Sequence, residues 1–206
     1  YFAPTDHAIG FHFETYDSFI KPPIIRSEIQ NLSPTQTNHI TVYLPAFDPN
    51  LLTAIFHKLD HCEWHIFSPG CDSYRKTKNV QIHPVSNKIF LESFESCRGV
   101  ITSAGFEMCA ESMYLGKKLL TIPIRNQYEQ LCNAAAMKEL DVTVMDSISG
   151  QLQKLQQWLD SDHVVPLNTA ADVESLITDM LALTKTKSPT LIPDTRSKKY
   201  TLPSIF

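Results

Sequence analysis

The sequence has no surplus of positive charge: 18 Lys and Arg stand against 22 Asp and Glu, a formal net charge of −4. Nothing in that balance points to nucleic acid or to an anionic membrane surface. Glycine is scarce, with 6 in 206 residues beside 13 prolines, which argues against collagen-like or low-complexity sequence. No apolar run approaches the ~18–20 residues needed to span a bilayer. Cysteine is sparse and odd in number: five residues at irregular spacings do not make a disulfide framework. Cys97, Cys109 and Cys132 lie in apolar sequence and read as small buried hydrophobes, so a reducing cytoplasm is the expected location. There is also no initiator Met and nothing like a signal peptide behind Tyr1, which leads us to expect a piece of a longer protein. What the chain does have is 43% hydrophobic and 19% charged residues, enough for a sizeable core in one or two domains.

Residues 1–38 are rich in Pro, aromatic and polar residues, and Pro22-Pro23 breaks any regular element. This stretch reads as a connector tying one domain to another. The texture changes at His39. Ile40–Leu44 is β-branched and aromatic, as a strand is. Pro49–Leu59 has helical spacing at Leu52, Ile55, Phe56 and Leu59, with Pro49 suited to a first turn. Further strands are expected at Trp64–Phe67, Val80–His83, Gly99–Thr102, Lys118–Ile122 and Val142–Met145. Helices are expected at Asn87–Cys97, Phe106–Leu115 (stopped by Gly116), Gln127–Leu140, Ser149–Leu159 and Ala171–Leu183. The tail from Lys185 is polar and is expected to be extended. Strands alternating with helices at short spacing imply βαβ units and a parallel sheet, an α/β Rossmann-like fold. Ligands in such sheets bind outside the carboxyl ends of the strands.

The loops after the strands therefore hold the candidate chemistry. In Val100-Ile101-Thr102-Ser103-Ala104-Gly105-Phe106 a strand turns through small residues directly into a helix. Small residues let a ligand approach the backbone, and a helix N-terminus offers amide N–H groups and partial positive charge to an anion. The plain alternative is an ordinary β–α turn. Glu111 lies six positions after Gly105, about 9 Å along the axis at ~1.5 Å per residue, and leans back toward the helix start. A carboxylate there can accept two hydroxyl hydrogen bonds from a ribose, or it is simply a solvated helix carboxylate. The next loop, Pro123–Gln130, is expected beside the first. Glu129 and Gln130 carry groups that bind sugar hydroxyls, and Arg125 is within reach of a phosphate. Alternatively this is a polar helix start, with Asn133 satisfying backbone groups.

The set Ser103-Ala104-Gly105-Phe106, Glu111-Ser112, Gly116, Pro123 and Glu129-Gln130-Leu131-Cys132-Asn133-Ala134 resembles the donor-binding signature of GT-B glycosyltransferases. It is similar to the bacterial peptidoglycan N-acetylglucosaminyltransferase and to plant-type UDP-sugar transferases, and nearest to a bacterial group related to both. The resemblance implies the C-terminal, donor-binding half of a GT-B fold over 39–184. Residues 1–38 would then cross from an absent N-terminal acceptor domain, with 185–206 as a tail. It implies that Ser103, Ala104, Gly105 and Phe106 sit at the donor diphosphate, Glu111 at the ribose, Glu129 and Gln130 at the donor sugar, and Pro84, Val85 and Ser86 against the nucleobase. It further implies a nucleoside diphosphate-sugar substrate, UDP first, and an inverting transfer without metal or cofactor. The general base would belong to the absent half, which would also carry any peripheral membrane association at the inner face, in cell-envelope polysaccharide synthesis. The piece alone would bind donor without turnover.

Departures from the pattern matter. Such enzymes often have His or Arg where Ser103 stands, and Glu107 adds negative charge to the first helical turn. Pro45-Ala46-Phe47 replaces a Gly-rich turn after the first strand. Three rival readings compete. His57, His61, Cys62, His65 and Cys71 crowd together, with His57 and His61 one helical turn apart, but no standard zinc spacing appears. A nucleotide-sugar 2-epimerase-like domain shares the expected architecture. A degenerate, non-enzymatic binding module fits Ser103 and Glu107.

Overall fold

The β-branched runs Ile40-Thr41-Val42 and Val100-Ile101-Thr102 become strands of one sheet. The computed structural model describes residues 7–185. It divides into a unit of Pro23–Ala170 and a second unit that holds residues 7–22 and 171–185 of those described. In the second unit β1 (Gly10–Phe11) and β2 (Ile20–Lys21) pair in parallel. Later in the chain, its last helix carries Asp179, which pairs with Lys21 at 3.2 Å.

The larger unit opens with α1 (Ser27–Gln30), a short helix within a segment expected to be irregular. Ile25 and Ile29 are buried and hold the segment down. Thr35 and Thr37 then donate their backbone N–H to the carbonyls of Glu95 and Ser96. Residues 23–38 are thus part of this unit, which begins before His39 and ends at Ala170.

From there β3 (His39–Tyr43), α2 (Pro49–Phe56), β4 (Glu63–Ser68), β5 (Arg75–Thr77), β6 (Val80–Pro84), α3 (Asn87–Ser96), β7 (Gly99–Thr102) and α4 (Phe106–Tyr114) follow. The chain continues with β8 (Lys118–Thr121), α5 (Tyr128–Glu139), β9 (Thr143–Val144) and α6 (Leu152–Asp160), and α7 (Val173–Lys185) lies in the second unit. The seven-stranded sheet runs β5-β6-β4-β3-β7-β8-β9, parallel except for the antiparallel β5–β6 hairpin. The first strand of this sheet in the chain, β3, sits in its middle. The chain builds outward on one side through β4 and β6, returns to β7 beside β3, and builds outward again. This is the Rossmann-like order, and its switch point lies between β3 and β7.

The three-residue β5 escaped the sequence reading because Arg75-Lys76-Thr77 is exposed and has no apolar alternation. Helix ends follow local chemistry. Asp48 caps α2 by accepting from the Asn50 N–H at 2.8 Å. At the end of α4, Gly116 takes φ +64 and the Gly116 and Lys117 N–H groups reach back to Met113 and Ser112, a Schellman stop.

The two faces of the sheet differ. On one, Ile40, Val42, Trp64, Ile66, Ile82, Ile101 and Leu120 meet Leu52 and Phe56 of α2 and Leu155, Trp158 and Leu159 of α6 in one apolar cluster. By strand alternation the other face carries His39, Thr41, His65, His83, Thr102 and Thr121. There α3 covers it with Ser93, which contacts Thr41, His39 and His65. Among the described residues, no helix is long and apolar enough to cross a membrane. The expected tail falls outside the described residues.

Candidate functional site

The carboxyl ends of β3 and β7 form the switch point, and the loop that leaves β7 there is Ser103-Ala104-Gly105. Thr102 ends the strand in register with Tyr43 of β3 and Thr121 of β8. Gly105 is the N-cap of α4 and, as a glycine, brings no side-chain cap of its own. A side chain built on Gly105 would meet no atom within 4 Å, so the backbone is open on that side. Ser103 and Ala104 are buried, and Gly105 and Phe106 are half-buried. Glu107 stands exposed in the first turn, where its charge both complements the helix dipole and opposes an incoming anion.

The loop after β8 lies beside this one, because β8 pairs with β7. Asn133 of α5 joins the two loops by donating to the Ala104 carbonyl at 3.0 Å. Gln130 turns its side-chain oxygen inward, accepting from the Ile124 N–H at 2.9 Å and closing the loop. Arg125 and Glu129 are exposed, and Asn126 holds a left-handed φ of 64°. Cys132 is exposed, contrary to its reading as a buried hydrophobe, because the face of α5 that it shares with the 74%-exposed Tyr128 points outward.

The loop after β6 is the third element. Pro84 ends the strand, Val85 is exposed, and Ser86 precedes α3 without a side-chain cap bond. Two strands, β4 and β3, separate it from β7 in the sheet.

Glu111 is placed where the spacing puts it, on α4 beyond the turn, but it is not open. It is 1% exposed, and the Arg26 guanidinium straddles its carboxylate. Nε donates to Oε1 at 2.6 Å and Nη2 donates to Oε2 at 2.9 Å. The hydrogen bond to Glu111, reinforced by its charge and those of Glu28 and Glu107, raises the Arg26 pKa above its ordinary value. Arg26 was not foreseen: it belongs to a segment read as a connector, and nothing local marks a partner 85 residues away. Beyond it, Glu28 accepts from Asn87 Nδ2 at 3.4 Å, so a polar chain runs from α4 to the start of α3.

The His/Cys cluster does not converge. His57 Nε2 meets the Thr77 carbonyl, His65 faces Ser93 on the other side of the sheet, and Cys62 and Cys71 belong to the apolar core. Among the described residues no group of three or more His, Cys, Asp or Glu is placed to hold a metal ion. A shallow groove of about 660 Å³ lies between α2 and β5, lined by Asn50, Thr53, His57, Arg75, Lys76 and Thr77, away from the loops after β7 and β8.

A family model described as glycosyl transferase family 1 matches residues 10–161. No curated protein matches the chain. Among solved structures, the glycosyltransferase SnogD from Streptomyces nogalater matches at 18% identity and a TM-score of 0.47, covering 63% of this chain and 37% of its own. The spinosyn forosaminyltransferase SpnP matches at 12% identity and a TM-score of 0.49, covering 70% and 43%. The spinosyn rhamnosyltransferase SpnG, complexed with thymidine diphosphate, matches at 16% identity and a TM-score of 0.40, covering 71% and 44%. The chain spans about two fifths of the length of these structures.

Proposed function

We propose, for a chain that belongs to glycosyl transferase family 1, that it forms the nucleotide-sugar donor-binding half of a GT-B glycosyltransferase. The observation that carries this reading is the loop Ser103–Phe106: it opens a helix through a glycine N-cap at the switch point of a Rossmann-like sheet, with open space beside Gly105. Helix N-termini at such places receive phosphates through their N–H groups and dipole. In this reading the donor diphosphate meets Ser103, Ala104, Gly105 and Phe106. Its sugar lies toward Glu129 and the amide of Gln130, with Arg125 near a phosphate, and its base lies toward Pro84, Val85 and Ser86. UDP is the first candidate nucleotide.

The chemistry we assign is an inverting transfer. An acceptor hydroxyl oxygen bonds to the anomeric carbon, the bond from that carbon to the diphosphate oxygen breaks, and the nucleoside diphosphate leaves with the electron pair. A base on the acceptor side, outside the loops described, takes the hydroxyl proton. The part played here is to stabilise the negative charge of the leaving group by fixed backbone dipoles. This chain then binds donor, and turnover needs the acceptor side as well.

Glu107 favours one other reading, a domain of the same fold that no longer binds nucleotide, since it places a negative charge in the first turn of α4. Titration calorimetry with UDP, TDP, ADP and GDP separates the two. Saturable heat with UDP is the expected result. No heat with any of them, from a chain that melts cooperatively, establishes the non-binding module.

A further inference from the structure

Glu111 and Arg26 deepen that donor-site reading, on which the following rests. Both carboxylate oxygens of Glu111 are engaged by one guanidinium, in the two-pronged geometry that holds arginine most firmly. The exposures are lopsided: the Glu111 side chain is 2% exposed and that of Arg26 45%. A molecule approaching this side of α4 therefore touches the arginine and not the carboxylate. The fork uses Nε and Nη2. The remaining nitrogen, Nη1, stands 3.9 Å from Glu28 Oε2, too far for a hydrogen bond.

Position and charge point the same way. Glu107 and Glu111 are one turn apart on α4, and both act electrostatically on Arg26. The two hydrogen bonds hold the guanidinium on Glu111, on the same helix that begins after Gly105. Three carboxylates, Glu28, Glu107 and Glu111, gather there, and Ser103 adds no charge. A diphosphate brought to this corner needs a cation.

We propose that Arg26 is the group that meets the donor diphosphate, and that Glu111 is its positioning residue rather than a direct ligand of the ribose. The polar chain through Glu28 to Asn87 then ties this cation to the start of α3, beside the loop assigned to the base.

The test uses the 206-residue chain, UDP as one probe and inorganic pyrophosphate, which has no ribose, as the other. Binding of UDP by the unsubstituted chain comes first: if no nucleoside diphosphate binds, the donor-site reading itself fails and this assignment with it. Given binding, Arg26→Gln weakens UDP and pyrophosphate alike, on the order of tenfold, as expected for a lost hydrogen bond to a charged group. It also flattens the dependence of UDP affinity on salt. Glu111→Gln weakens both probes in the same ratio and adds nothing in an Arg26→Gln background. Arg26→Gln leaves a buried carboxylate without its partner and risks unfolding. The pair Arg26→Met with Glu111→Gln removes both charges and carries the same test, with a melting curve to show that it folds. The assignment is overturned if the arginine variants bind UDP as well as or better than the parent. It is equally overturned if Glu111→Gln weakens UDP while leaving pyrophosphate unchanged, the signature of a carboxylate that holds the ribose itself.

Discussion

The two faces of one sheet are stabilised by different physics. Under α2 and α6 the strands contribute mainly Ile, Val, Leu and Trp side chains, with the Lys118 ammonium laid over the Trp158 ring. Under α3 the same strands contribute His39, Thr41 and His65, held by hydrogen bonds that converge on one hydroxyl. Ser93 Oγ lies 2.8 Å from Thr41 Oγ1, 3.1 Å from His65 Nδ1 and 3.2 Å from His39 Nε2. The His39 and His65 rings stack at 4.0 Å between centroids. An apolar face tolerates repacking because dispersion has no direction. The polar face around Ser93 is specific because its hydrogen bonds need fixed directions and particular partners.

The largest effect is expected on the apolar side. Phe56 stacks on Trp64 with centroids 4.0 Å apart and rings 3° from parallel, both fully buried. Phe56→Ala is expected to cost about 3–5 kcal/mol in denaturant unfolding, by lost burial plus the cavity left behind. A much smaller loss would mean that α2 can collapse onto the sheet.

Next comes acid, which acts on the polar side alone. Burial pulls His65 down to about 4, with the charges of His39 and His83 acting in the same direction and Glu63 partly opposing. Burial lowers His39 and His83 as well. In the window between the unfolded value of about 6.5 and the folded value, the unfolded chain binds more protons. Stability is therefore intact above that window and falls as the pH drops through it, by up to about 3 kcal/mol for His65. Unfolding curves from pH 7 to pH 4 test this, and a flat profile would sink the account of the polar face.

Ser93→Ala should cost less, about 2 kcal/mol, by leaving buried partners unpaired where a surface serine would cost almost nothing. Smallest, and opposite in sign, is Thr121→Val. Among the described residues the fully buried Thr121 hydroxyl has no hydrogen-bond partner, nor has that of its neighbour Thr102. Replacing it by a methyl group is expected to raise stability by about 1 kcal/mol, seen as a higher melting temperature.

The apolar face was the legible one. Ile40-Thr41-Val42 and Val100-Ile101-Thr102 announce strands through β-branching, and Leu52, Ile55 and Phe56 announce a helix through spacing. Those signals are local. Helix α4 began at Phe106 as its sequence indicates, and the loop before it fell at the switch point, since alternating strands and helices constrain the topology. What escaped was non-local or polar. The Ser93 cluster joins residues up to 54 positions apart that share no motif. Arg26 finds Glu111 only through the fold, and Glu111, read as a carboxylate facing outward, is covered by it. The short α1 depends on burying Ile25 and Ile29, not on any helical pattern in the Pro-rich segment around it.

At the rim of the sheet, β5 hydrogen-bonds to β6 on one side, and among the described residues no strand lies beyond it. Its outer backbone edge is the natural template on which a second molecule could add a strand and start a fibre. All three of its residues are exposed, and two are Arg75 and Lys76, so two molecules meeting there bring like charges face to face. A chain stripped of those cations would keep its fold and lose its protection against self-stacking.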